Sequence, residues 1–187
     1  MENKILNLLN VCRKGSRALG PGVRYVIWTQ GCPFHCKGCT TPEGQPIIER
    51  QMVDVELMAK DIIKRKNIDG ITISGGEPFL QASSLAYLIR LVRIARPDIN
   101  VIVFTGFLIE ALSSPEAKAL LSEVDVLIDG QFDERKKTSK GLRGSTNQRI
   151  HFITNRLLTN EEDLRYGKRI FETKITNDTI ITIGIPT

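Results

Sequence analysis

Ile71-Thr72-Ile73-Ser74-Gly75-Gly76-Glu77-Pro78 is the stretch that organises this chain. A short β-branched run ends in two glycines, a carboxylate and a proline, so a strand over Ile71 to Ser74 stops in a loop. Beyond it, Gln81 to Ala95 repeats apolar residues at Leu85, Leu88, Ile89 and Val92, one stripe of a helix that Pro97 closes. Before it, Asp54 to Lys66 sets Leu57, Met58, Ile62 and Ile63 on one helical face. Helix, strand, loop and helix in that order form the repeating part of a parallel α/β sheet.

The same alternation extends outward. Arg24 to Gln30, Val101 to Thr105 and Val124 to Ile128 read as strands, with Ile150 to Thr154 a fifth and Thr179 to Ile185 a last one. Lys4 to Cys12 fits a helix or a short edge strand. Ser114-Pro115-Glu116 starts a helix, with a capping serine, a proline whose missing N–H is harmless, and an acid near the positive dipole end. Five or six such units fall short of a closed eight-stranded barrel. The expectation is an α/β fold, an open partial (β/α) barrel of about five to six parallel strands, in a single domain over residues 1–187. No internal repeat or low-complexity segment interrupts it, and Arg135 to Thr146, charged and Gly/Ser-bearing, reads as a long loop.

Motifs fall after successive strands. The run Gly31-Cys32-Pro33-Phe34-His35-Cys36-Lys37-Gly38-Cys39 follows the first. Gly75-Gly76-Glu77-Pro78 follows the second, Thr105-Gly106 the third and Asp129-Gly130-Gln131 the fourth. All lie at C-terminal strand ends, the rim where barrel-like α/β proteins build their sites. Each alone fits a turn; together they outline a site.

Cys32, Cys36 and Cys39 carry the strongest chemical signal. Thiolates are soft ligands suited to iron–sulfur clusters, and three of them leave one iron of a four-iron cube open to a non-protein ligand. Zinc is the competing reading, but a structural zinc site takes four protein ligands, and here the fourth would be His35, inside the loop, or the distant Cys12. In the Gly75–Pro78 loop the glycines permit close backbone approach to a small polar molecule, and a plain turn is the alternative. Thr105 and Asp129 fit either a site or a turn-and-cap role. Cys12 reads as a small apolar residue, His35 as part of the exposed cysteine loop, and His151 as a sheet residue.

The composition is that of a soluble globular protein, 41% apolar and 25% charged. No apolar stretch approaches a membrane span and the N-terminus lacks the core of a signal peptide, so a cytoplasmic location is expected. Three of four cysteines lie within eight residues, which argues against disulfide staples and for a reducing, low-oxygen setting. The net charge of +5 concentrates at Lys64-Arg65-Lys66 and at Arg135-Lys136-Lys137 to Lys140. Such runs read as a solvated face and a helix end, or as a docking patch for an acidic partner protein or an electron donor. No motif points to nucleic acid.

The cysteine run and Gly75-Gly76-Glu77-Pro78 together resemble the radical S-adenosylmethionine (SAM) superfamily. Three more stretches narrow this: Gly20-Pro21-Gly22-Val23-Arg24, Val124 to Phe132, and Arg143-Gly144-Ser145-Thr146-Asn147-Gln148-Arg149. With them, residues from about Gly20 to Ile153 look like the activating enzymes of glycyl radical enzymes, in particular those of anaerobic ribonucleotide reductase. The resemblance implies a [4Fe–4S] cluster on Cys32, Cys36 and Cys39, which are thereby the catalytic and metal-binding residues. It implies SAM closing the open iron, its methionine half held by Gly75, Gly76, Glu77 and Pro78, with Asp129 and Thr105 completing the pocket. Reductive cleavage of SAM would then yield a radical that takes a hydrogen from a glycine of the partner enzyme.

Two features depart from the wider superfamily. Gly38 stands where many members carry an aromatic residue, although glycine there also occurs in the ribonucleotide reductase activators. No cysteine-rich ferredoxin-like segment is inserted, so a separate flavodoxin or ferredoxin is expected as donor. Other readings are a radical SAM enzyme acting on another glycyl radical enzyme, a peptide or a small molecule, and an iron–sulfur electron-transfer protein with Cys12 as fourth ligand. Arg143 to Arg149 could close over SAM or structure a loop.

Overall fold

A computed structural model describes residues 4–175 and 180–186. The chain forms β1 (Ile5–Ser16), β2 (Arg24–Thr29), β3 (Gln51–Asp54), α1 (Val55–Lys64), β4 (Gly70–Gly75), α2 (Ala82–Ala95), β5 (Asn100–Phe104), α3 (Pro115–Leu121), β6 (Val126–Asp129), β7 (Arg149–Phe152), α4 (Glu161–Tyr166), β8 (Glu172–Ile175) and β9 (Ile180–Ile183). Seven strands make one sheet in the order β3-β1-β2-β4-β5-β6-β7, and β8 and β9 make a separate two-stranded one.

The centre of the sheet is parallel: β2 pairs with β4, β4 with β5 and β5 with β6. Helices α1, α2 and α3 lie between or beside these strands in sequence, as parallel crossovers require. The flanks are antiparallel, through β1 on β2, β3 on β1 and β7 on β6.

Four parallel strands therefore stand where five to six were expected. The fifth predicted strand is present as β7 but reversed, because the chain between β6 and β7 holds a single 3-10 turn and no crossover helix. The last predicted strand pairs with β8 instead of joining the main sheet, and its first residue, Thr179, lies outside the described residues. Lys4 to Cys12 resolves as the start of a long strand inside the sheet, neither helix nor edge.

Strand alternation gives the sheet two buried faces. Tyr25, Ile27, Ile71, Ile73, Val101, Val103 and Leu127 point to the helices. Their neighbours point the other way: Val26 and Trp28 meet Cys12, Leu19 and Ile183, while Ile102, Val126 and Ile128 meet Leu142, Ile150, Leu157 and Leu164. The second face is thus covered by the loop after β1 and by the C-terminal elements.

Helix α1 starts at Asp54, whose carboxylate accepts the Leu57 N–H, and α3 at Ser114, whose hydroxyl accepts from Ala117. The buried stripe of α1 is Val55, Met58, Ala59 and Ile62; Leu57 is 64% exposed, one step off the predicted face. In α2, Leu85, Leu88, Ile89 and Val92 are all buried as the periodicity predicted.

Arg24, at the N-terminal end of β2, is fully buried. Its guanidinium donates to Thr72 Oγ1 at 3.0 Å, to the Ile71 carbonyl at 2.7 Å, and to Asn100 and the Pro21 carbonyl. Burial pulls its pKa down to about 9. Gly20 to Arg24 therefore ties three strands together at the end away from the cysteines. Among the described residues no helix is long and apolar enough to cross a membrane.

Candidate active site

The C-terminal ends of β2, β4, β5 and β6 surround a cavity of about 290 Å³, the lower end of the small-molecule range. Cys32, Cys36 and Cys39 form one wall. Gly75, Gly76 and Glu77 face it from β4, Thr105 from β5, and Gly130 to Phe132 from β6.

Backbone hydrogen bonds fix the cysteine loop. Gly31 N–H donates to Gly44 at 2.8 Å, Cys32 N–H to Gln45 at 3.0 Å, and Glu77 N–H reaches back to Gly31 at 2.8 Å. Thr41 Oγ1 donates to the Gly75 carbonyl at 3.1 Å, and the Phe34 ring stands edge-on to Phe107 with centroids 4.8 Å apart. Gly38 has φ +73°, a left-handed conformation, and a Cβ there would meet Glu134 at 3.0 Å. Glycine before the third cysteine is thus favoured by the left-handed turn.

The three thiols are free and half-buried. Burial raises two of them: Cys32 is pushed up to about 11, with Glu77 and the other thiols adding to it, and Cys36 is raised as well. The Phe34 and Phe132 backbone N–H groups donate to the Cys32 and Cys36 sulfurs and oppose that rise. Such donors favour thiolate, the form a metal centre needs. Among the described residues no three His, Cys, Asp or Glu side chains group tightly enough to hold a single metal ion. Three free thiols on one loop are a soft donor set of the kind that suits an iron–sulfur group.

Glu77 is 1% exposed. Oε1 accepts from Thr105 Oγ1 at 2.8 Å and from Phe79 N–H at 3.0 Å, and Oε2 from Gly106 N–H at 2.7 Å. Burial nevertheless pushes the carboxyl up to about 7. Glu77 and Thr105 therefore couple the β4 loop to the β5 loop, and both residues line the cavity. Pro78 is buried and opens the 3-10 turn that leads to α2, behind the cavity wall.

Asp129 is fully buried and does not line the cavity. Its carboxylate accepts from Ile109 N–H at 2.8 Å and from Arg149, and His151 Nε2 stands 3.2 Å away. Burial works to raise its pKa; the Arg149 and Ile109 hydrogen bonds and nearby His151 outweigh it and hold the carboxyl below the usual range. Gln148 completes this corner: its oxygen accepts from Gly144 and Ser145 N–H, and its amide donates to Gly130. Arg143 to Arg149 thus structures a loop, and Gly144 and Gln148 present it to the cavity.

Cys12 lies in the apolar cluster with Trp28 and Ile183 and donates to the Gly15 carbonyl at 3.4 Å. It is not a cavity residue, and His35 is exposed outside the cavity, so neither stands as a fourth ligand beside the three thiols.

Residues 18–151 match the family described as a 4Fe-4S single cluster domain. The chain is similar to anaerobic ribonucleoside-triphosphate reductase-activating proteins: that of Vibrio cholerae is 34% identical over 146 residues, 72% of this chain and 91% of the relative. That of Haemophilus influenzae is 34% identical over 140 residues, 71% and 89% of the two chains, and that of Escherichia coli K12 29% over 144 residues, 72% and 91%. The chain belongs to the family of anaerobic ribonucleoside-triphosphate reductase-activating proteins.

In this activating-protein chain the family match ends at residue 151, but the cavity does not. Phe171, Thr182, Gly184, Ile185 and Pro186 line it from the C-terminal elements, with Ile183 buried against Trp28. Trp28 and Phe132 also line it. Sequence reasoning missed these residues. Trp28 and Phe132 border motifs it had found, and position beside a strand end was the available signal. The tail carries no motif that could have placed it there.

Proposed function

We propose that this protein activates anaerobic ribonucleoside-triphosphate reductase as a radical SAM enzyme, with Cys32, Cys36 and Cys39 holding a [4Fe–4S] cluster. The observation that carries this reading is the facing of three free thiols and the Gly75–Glu77 loop across one small cavity. When bound, the cluster supplies one electron to SAM, which separates into methionine and a 5′-deoxyadenosyl radical that takes hydrogen from a glycine Cα of the reductase.

The residues of this chain hold and screen that chemistry. The Phe34 and Phe132 amides stabilise thiolate at Cys32 and Cys36. The loop of Gly75, Gly76 and Glu77, which lines the cavity opposite the cysteines, receives the methionine half of SAM. Thr105 keeps Glu77 in place, and Asp129 holds Arg149 and the turn at Ile109, so both act as positioning residues. Trp28, Phe104 and Phe132 give the cavity an apolar lining that limits water. The main sheet is taken as the open part of a (β/α) barrel of the radical SAM type. A flavodoxin or ferredoxin supplies the electron.

The test is anaerobic. The protein is reconstituted with iron and sulfide and given dithionite, SAM and the reductase. Chromatography then looks for 5′-deoxyadenosine and electron paramagnetic resonance for a glycyl radical. Both signals are expected; a fully loaded cluster that yields neither overturns the reading.

A further inference from the structure

The loop that follows β6 places a positive patch directly beside Cys36. Residues 132–140 together with Lys37 carry five cations against two carboxylates, a net +3 out of +5 for the whole chain. Lys37 is 91% exposed and Arg135 88%, and Lys136, Lys137 and Lys140 are exposed too.

The patch is built, not trailing. Asp133 accepts from the Arg135 N–H at 3.1 Å and starts a 3-10 turn over Glu134–Lys136. Thr146 N–H donates to the Lys136 carbonyl at 2.8 Å, Thr138 N–H to Gly144 at 3.1 Å, and Asp133 N–H to the buried Ser145 hydroxyl at 3.1 Å. The loop also grips the cysteine run, since Lys37 pairs with Glu134 at 3.4 Å and Gly38 packs on Glu134 and Phe132. Phe132 makes the link inward: its N–H donates to the Cys36 sulfur and its side chain lines the cavity. Positive charges thus border a covalent and hydrogen-bonded route, through Phe132, from solvent to one thiol. The other flank differs, with exposed Ile47, Ile48 and Leu80 on the side of β1 and β4.

We infer that Lys37, Arg135, Lys136, Lys137 and Lys140 form the docking surface for an acidic one-electron carrier protein, and that electrons enter through Phe132 and Cys36. The inference rests on the functional reading above, in which a cluster sits on the three thiols. The step is simple: the reduced carrier loses one electron, the cluster gains it, and no bond or proton moves. Opposite charge steers the encounter and fixes the carrier's approach.

The test compares the parent chain with a Lys136→Glu/Lys140→Glu double variant, and with Lys64→Glu/Lys66→Glu as a control of equal charge at the end of α1. Two readouts omit SAM: calorimetric binding of an acidic flavodoxin to the cluster-free protein, and stopped-flow reduction of the reconstituted cluster by reduced flavodoxin. The Lys136/Lys140 variant is expected to bind and to be reduced about tenfold more weakly at low salt. That gap should close near 1 M salt, where charges are screened within roughly 3 Å. Reduction by dithionite should stay unchanged, and the control should behave as the parent. Parental flavodoxin kinetics in the Lys136/Lys140 variant, or an equal loss in the control, overturns the inference. Failure of SAM cleavage with dithionite tells instead against the functional reading and leaves these two measurements valid.

Discussion

Gly76 lies so close to Gly31 that a Cβ on Gly76 would stand 2.2 Å from the Gly31 carbonyl oxygen. The same loop-to-loop seam carries the Glu77 N–H bond to Gly31 and the Gly76 N–H bond to Thr29, both 2.8 Å. Close approach at the Gly-Gly pair thus serves contact between the β4 loop and the cysteine loop. Backbone cannot swing aside as a side chain can, so Gly76→Ala should cost roughly 2–3 kcal/mol and displace Cys32. Thermal unfolding and iron content after reconstitution check this; parental values for both would refute the seam's role.

The thiols separate cleanly by position. Cys36→Ala should lose most of the reconstituted iron and all SAM cleavage, because Cys36 lines the cavity. Cys12→Ser should keep its iron, because Cys12 belongs to the apolar cluster near Trp28. Its cost should appear in stability alone, about 1–2 kcal/mol for a hydroxyl in an apolar setting. Iron and sulfide analysis of the two variants decides, and iron loss in Cys12→Ser would revive it as a ligand.

Glu77 predicts a pH dependence at neutral rather than acid pH. Its folded pKa of about 7 lies above the ordinary value of 4.5, so the fold binds this proton more tightly than the unfolded chain. The stabilisation is complete below about 4.5 and is lost as pH rises through about 7, by roughly 3 kcal/mol at most. Denaturant melts of the cluster-free protein at pH 5 and pH 8 should show that slope, and Glu77→Gln should flatten it. An unchanged slope in Glu77→Gln would place the titration elsewhere.

Asp129 should behave as a structural anchor. Asp129→Asn removes the charge that Arg149 faces while leaving an oxygen for Ile109, so a loss of about 2 kcal/mol is expected. Because its folded pKa is depressed, the wild-type contribution is present above about pH 4 and lost as pH falls through the folded value. Iron content per folded molecule should stay parental. A cluster lost at full stability would instead make Asp129 a residue of the pocket.

The sequence revealed the parallel centre of the fold because each buried strand there is a short apolar run and each helix has one clear stripe, as at Leu85 to Val92 in α2. It revealed the rim because glycines and cysteines punctuate strand ends. It misjudged direction at β7, where an apolar run reads the same whichever way it pairs. It also put Leu57 inside, since Leu57 and Met58 sit side by side and the alternative stripe through Val55 and Ala59 is built from smaller residues. Glu77 and Asp129 were visible as charged residues after strands. Their roles were not, because a carboxylate that reaches into a cavity and one that anchors a neighbouring loop look alike until hydrogen-bond partners are known. The tail was opaque for another reason: its contact with Trp28 spans most of the chain length.

The C-terminal wall of the cavity has a consequence for how such a protein can diversify. Phe171, Thr182, Gly184 and Ile185 shape the pocket from outside the span that the family match covers, while the cysteines, Glu77 and the seam between Gly31 and Gly76 all lie within it. Selection can therefore act on the two parts separately. Drift in the tail alters the volume and polarity of the pocket without moving a cysteine, so access to the pocket is evolvable while the half that carries the cysteines stays constrained.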